Sequence, residues 1–176
     1  MSWFTQTWFQ QGLLHSLQTP SHILLVLGLA FLLGQQGQLK VSLLTVFSVI
    51  TGFLLNHYAL LINWNTELIL LTLALICGLL LVLRLKLPLL IILSLLIFSG
   101  IVLGLNSNPI IIPGLGSNSI YSWRLGAAIT LILSIVVLTL PAYYLDRYWN
   151  GIILRVAGSW IATSTLFVLT LMIAGR

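Results

Sequence analysis

The chain has 176 residues, of which 60% are hydrophobic and 5% charged, with a mean hydropathy of +1.16 and a formal net charge of +5. Ordinary soluble domains carry roughly a quarter of charged residues, so this composition excludes a water-soluble globular fold and points to a single-domain, all-α integral membrane protein. The seven basic residues are dispersed at Lys40, Arg84, Lys86, Arg124, Arg147, Arg155 and Arg176, which argues against a nucleic-acid-binding patch, and the lone Cys77 rules out a disulfide framework or a cysteine-rich metal site.

In chain order, residues 1–19 place Trp3, Phe4, Trp8 and Phe9 ahead of Leu13, Leu14 and Leu17 among Gln, Thr and Ser. Amphipathic aromatics suit the headgroup level, so this segment is predicted as a short helix at the bilayer surface. Polar or Pro/Gly punctuation then divides the chain into about six spans, near 20–36, 41–62, 67–84, 87–105, 121–145 and 151–174. Pro20 fits the first turn of the first span, where its missing N–H does no harm. Arg84, Leu85 and Lys86 alone separate the third span from the fourth, which predicts an antiparallel hairpin. The long connection Asn106 to Ser122 is rich in Pro, Gly and Asn and reads as a folded outer loop. Small residues recur one turn apart at Gly100 and Gly104 and at Gly158 and Ala162, the spacing at which neighbouring helices approach closely.

Six spans put both termini on one side. Lys40, Arg84, Lys86 and Arg147 then share the opposite face, Arg155 can snorkel toward it, and Arg124 and Arg176 fall on the side of the termini. The positive-inside bias assigns the first group to the cytoplasm and both termini to the periplasm or a lumen, in a plasma, inner or internal energy-transducing membrane.

Chemistry in such a chain belongs to its few ionisable residues, because leaving one unpaired in hydrocarbon is costly. The threading brings His15, His22, His57 and Glu67 to the outer end, and His15 and His22 lie on one helix face if the helix continues through Pro20. Imidazole nitrogens with a carboxylate are ligands suited to nickel, cobalt, copper or zinc, and Asn56, Tyr58, Asn106 and Asn108 are candidates for secondary oxygens. The competing account treats these groups as interfacial residues at helix ends, with Glu67 complementing its helix dipole.

The run Gly12-Leu13-Leu14-His15 followed by Pro20-Ser21-His22-Ile23-Leu24-Leu25 resembles the opening of the HupE/UreJ proteins, small membrane permeases associated with nickel supply to hydrogenase and urease. Glu67 opening the third span with Gly78 inside it, the Arg84 to Pro88 hairpin, and the ending Leu154 to Ala162 are similar as well, in the same order along the chain. The chain departs from the family in two places. Ser21 stands where the family has Asp before the second histidine, and Phe98 to Gly104 stands where it often has a His-rich segment.

The resemblance implies a permease that takes a divalent metal, nickel first, at an outer site of His15, His22, His57 and Glu67, without a resident cofactor. The alternative is a non-transporting scaffold or accessory subunit whose apolar faces pack against partner membrane subunits or a second copy. No nucleotide-binding loop and no Ser/His or paired-carboxylate arrangement is visible in the sequence, so an enzyme is not expected. The polar positions Ser48, Thr51, Thr72, Ser94, Thr130, Ser134, Thr139, Thr163 and Thr165 would line a conduit if they face inward.

Overall fold

The computed structural model describes residues 8–37, 41–59, 65–107 and 117–175, and all of its regular structure is helical. The helices are α1 (Trp8–Gln18), α2 (Pro20–Gln36), α3 (Ser42–Ala59), α4 (Thr66–Leu83), α5 (Leu89–Leu105), α6 (Ser117–Tyr148) and α7 (Ile152–Ala174). Their bounds follow the predicted spans closely, with one large difference. Helix α6 has 32 residues, about 48 Å at 1.5 Å per residue, because it absorbs Ser117 to Ile120 from the expected outer loop and runs on through Leu145 to Tyr148.

Among the described residues three helices are long and apolar enough to cross a membrane: α4, the Asn118–Tyr148 part of α6, and α7. Helices α1 and α2 meet the same test together but are bent by 70° where they join, and the apolar part of α3 (Ser42–Leu55) and α5 are shorter. Local chemistry sets these ends. Gly37 closes α2 at φ 67°, a left-handed conformation that glycine adopts without Cβ strain, and its N–H is directed to the carbonyls of Leu33 and Gly34. Gly151, at φ 73°, lets the chain reverse between α6 and α7.

Helix direction can be read from the contacts. Gly28 of α2 faces Ala74 and Cys77 of α4, and further along Gln35 reaches the Leu81 carbonyl, so α2 and α4 run the same way. Gly34 lies against Ala142, which makes the C-terminal ends of α2 and α6 neighbours. Gly78 of α4 meets Gly158 and Ala162 of α7, and Gly158 meets Leu81 and Val82, an antiparallel pairing. Helices α3 and α5 run parallel, with Ser48 on Gly100 and Phe53 on Gly104. Helices α2, α4 and α6 thus point one way and α3, α5 and α7 the other, the alternation that back-and-forth threading produces.

Helix α2 forms the centre. Its Leu25, Leu29, Leu32 and Leu33 are fully buried, and they join Leu70, Leu81, Leu96, Leu103, Leu131 and Ile135 in one core. Outward faces carry exposed Leu43, Phe47, Leu54, Leu90, Leu133, Trp160 and Phe167, which is the arrangement for a lipid solvent. The interfaces depend on glycines. A methyl group built on Gly104 would overlap backbone atoms of Val49, Gly52 and Phe53, and one on Gly78 would press on the backbones of Gly158 and Ala162. Gly78→Val and Gly104→Val are each expected to destabilise the bundle by about 1–3 kcal/mol through overpacking. Leu90→Ala, at an 80% exposed position, should have little effect when unfolding is followed in detergent micelles.

Candidate functional site at the histidine end

The end of the bundle where α2, α4 and α6 begin holds the candidate ligands. Helix α1 docks along the first half of α6 through two facing glycines: a methyl on Gly12 would strike the Trp123 carbonyl, and one on Gly126 the Phe9 carbonyl. Thr130 adds a hydrogen bond, its Oγ1 donating to the Leu13 carbonyl at 3.2 Å as well as to Gly126. Residues 8–18 therefore form the short helix predicted for this segment, packed on α6.

The junction with α2 is made by Thr19 and Pro20. Thr19 Oγ1 donates to the His15 carbonyl at 2.8 Å, closing α1, while Pro20 supplies no N–H to continue the ladder and opens α2 at its first turn. The helix is not continuous through Pro20, as the one-face argument assumed, yet the two histidines meet. Seven residues of straight helix would separate them by about 10 Å along the axis. The 70° bend brings the ring centroids to 5.7 Å, edge to face, with Trp123 a further 5.3 Å from the His15 ring.

His22 is 0% exposed, and neither Nδ1 nor Nε2 has a hydrogen-bond partner. The hydroxyls of the buried Ser16 and Ser21 and the Nε1 of Trp123 are also buried without partners. Buried polar groups are normally paired, because desolvating an unpaired one costs about 1–3 kcal/mol. Several such atoms gather around one bend, where two imidazoles are in contact.

The other predicted residues stand as follows. Glu67 is exposed on the first turn of α4 at this same end of the bundle. The backbone of His57 lies in the last turn of α3, while its side chain, those of Asn56 and Tyr58, and residue Asn108 fall outside the described residues. Among the described residues no third His, Cys, Asp or Glu joins His15 and His22 in a group able to hold a metal ion. Asn106 is engaged locally, its Oδ1 accepting a 2.5 Å hydrogen bond from Thr66 that ties the start of α4 to the end of α5. Sequence reasoning missed Trp123 and Ser16. Both reach the site only through the docking of α1 on α6, and the facing Gly12 and Gly126 were the one signal for it.

The polar positions that would line a conduit are mostly spent locally. Ser48, Thr51, Thr72, Ser94, Thr139, Thr163 and Thr165 each donate to a carbonyl of their own helix, and Thr51, Thr72, Ser94 and Thr163 lie on exposed faces. Thr130 bonds across to α1, and Ser134 lines a small cavity of about 70 Å³ with Ser16 and Thr130 between α1, α2 and α6. No protein family, curated protein or solved structure shows a significant match to the chain.

The bend is directly testable. A His15→Cys/His22→Cys double variant is expected to form an intramolecular disulfide, or to be bridged by a short bifunctional thiol reagent. Three free thiols after oxidation, the buried Cys77 and both introduced cysteines, would mean a straight helix through Pro20.

Proposed function

We propose that the chain is a six-span membrane protein that binds a divalent transition-metal ion, nickel foremost, at its outer end, as a permease of the HupE/UreJ kind. The observation that carries this reading is His22, fully buried with both ring nitrogens unpartnered and in ring contact with His15. A neutral imidazole offers an unprotonated nitrogen, and two imidazoles are a nucleus for nickel, copper or zinc coordination. Glu67 and His57 sit at the same end and would complete the ligand set or deliver the ion to it. The basic end, with Arg84, Lys86, Arg147 and Arg155, would face the cytoplasm and the outer end the periplasm or lumen.

Metal binding by the purified protein tests this. His15→Ala and His22→Ala should each weaken nickel binding on the order of tenfold or more, because each removes a direct nitrogen ligand. Glu67→Gln, at an exposed position, should weaken it less. Unchanged binding in both histidine variants would remove the site.

A second reading, a non-transporting scaffold or accessory subunit, is favoured by a specific observation: Leu25, Leu29 and Leu70 fill the core next to His22, and hydroxyls along the helices, such as those of Thr139 and Thr165, are bonded to carbonyls of their own helix. Proteoliposome flux separates the two readings. Histidine-dependent binding with metal uptake supports the permease, whereas binding without uptake supports the scaffold.

A further inference from the structure

At the end of the bundle opposite the histidines, Gln35, Gln36, Arg84, Leu85, Lys86 and Asp146 line a cavity of about 410 Å³. That is within the roughly 300–1,000 Å³ typical of small-ligand sites. Its walls come from three places in the chain: the end of α2, the α4 to α5 turn, and the end of α6. Two hydrogen bonds hold them together, Gln35 Nε2 donating to the Leu81 carbonyl at 3.1 Å and Gln36 Nε2 donating to the Leu85 carbonyl at 2.7 Å. Arg84 reaches Asp146 at 3.5 Å over the Gly151 turn.

The lining divides into two chemical halves. The cationic half is Arg84, whose side chain is 45% exposed, and the exposed Lys86. A guanidinium has five N–H donors and the Asp146 contact occupies one edge of it, so donors remain for an anion. The acceptor half is Gln35 Oε1, which is buried and accepts no hydrogen bond, and the Asp146 carboxylate, whose buried Oδ1 is the atom ion-paired with Arg84 and whose second oxygen is outside that pair. The amide of Gln35 is oriented by its bond to Leu81, which commits the nitrogen and leaves the oxygen as an acceptor. A simple anion would suit the cations and be repelled by the carboxylate, and a simple cation would do the reverse. A ligand that carries both a phosphate and an N–H-bearing ammonium satisfies both halves.

We propose that this cavity is a binding site for a phosphoethanolamine headgroup, with the phosphate against Arg84 and Lys86 and the primary ammonium against Asp146 and Gln35. The half-exposed Leu85 forms an apolar lip at the rim, where the glycerol end of a lipid would leave. Basic pockets between helix ends are established places for lipid headgroups. Here the carboxylate adds selectivity for a headgroup that can donate hydrogen bonds, which a quaternary choline cannot do. The site is remote from the histidine pair, and its test does not involve metal.

The test measures lipid retained by the purified full chain in nanodiscs of phosphatidylcholine containing either phosphatidylethanolamine or phosphatidylglycerol, read by native mass spectrometry. The native chain is expected to retain phosphatidylethanolamine over phosphatidylcholine by about tenfold, the effect of a charge-assisted hydrogen bond. Asp146→Asn should shift the preference to phosphatidylglycerol, since two cations then act without a carboxylate. Lys86→Gln, at an exposed position with no role in packing, should weaken retention of both lipids while keeping phosphatidylethanolamine above phosphatidylcholine. Equal retention of phosphatidylethanolamine and phosphatidylcholine by the native chain, or unaltered selectivity in Asp146→Asn together with unaltered retention in Lys86→Gln, overturns the proposal. Soluble phosphoethanolamine identifies the source: displacement of the bound lipid assigns the site to the free headgroup, and resistance assigns it to membrane lipid, both supporting the headgroup chemistry.

Discussion

Close approach of helix backbones at glycine is the constraint on which this bundle depends. Between helices already surrounded by hydrocarbon, burying leucine against leucine supplies little drive, so association rests on dispersion contacts made where backbones come near enough. Gly28 against Cys77, Gly34 against Ala142, Gly78 against Gly158 and Ala162, and Gly52, Gly100 and Gly104 between α3 and α5 are those places. Each permits an approach that a single added methyl would forbid. The leucines of α2 then fill the space that the notches define, which is why α2 is the buried centre of the molecule although its composition differs little from that of its neighbours.

The same logic of contact separates the polar groups into two populations. Hydroxyls along the helices, such as those of Thr139 and Thr165, are satisfied by a carbonyl one turn back and are chemically quiet. Buried polar atoms without a hydrogen-bond partner occur at both ends and also at Thr45 of α3 and Ser99 of α5. Around the α1–α2 bend they belong to His22, Ser16, Ser21 and Trp123, and at the basic end to Gln35 and to Asp146, whose Oδ1 is ion-paired with Arg84.

The two ends also differ in kind. Around the histidine pair the polar groups are imidazole nitrogens, hydroxyls and an indole N–H. The opposite end pairs guanidinium with carboxylate across a helix reversal. Helix α1 links the histidine pair to the frame. Without the Gly12 and Gly126 contact it would have no fixed seat on α6, and His15 would have no reason to lie beside His22 and Trp123.

Composition and punctuation determined a great deal. The all-helical class, most helix bounds within a few residues, the tight Arg84 to Pro88 reversal, the gathering of Arg84, Lys86 and Arg147 at one end, and the packing roles of Gly100, Gly104, Gly158 and Ala162 were legible because each is a local property: hydropathy, a turn signal, or a one-turn repeat. The meeting of His15 with His22 was anticipated for the wrong geometric reason, a straight helix, and tertiary structure produced it through the 70° bend instead. Whether a small residue faces another helix or lipid, how far α6 extends, and that Gln35, Lys86 and Asp146 share one cavity depend on pairings between segments dozens of residues apart. In a chain this uniformly apolar, no periodic pattern distinguishes one helix face from another, so only the packed bundle decides which faces meet.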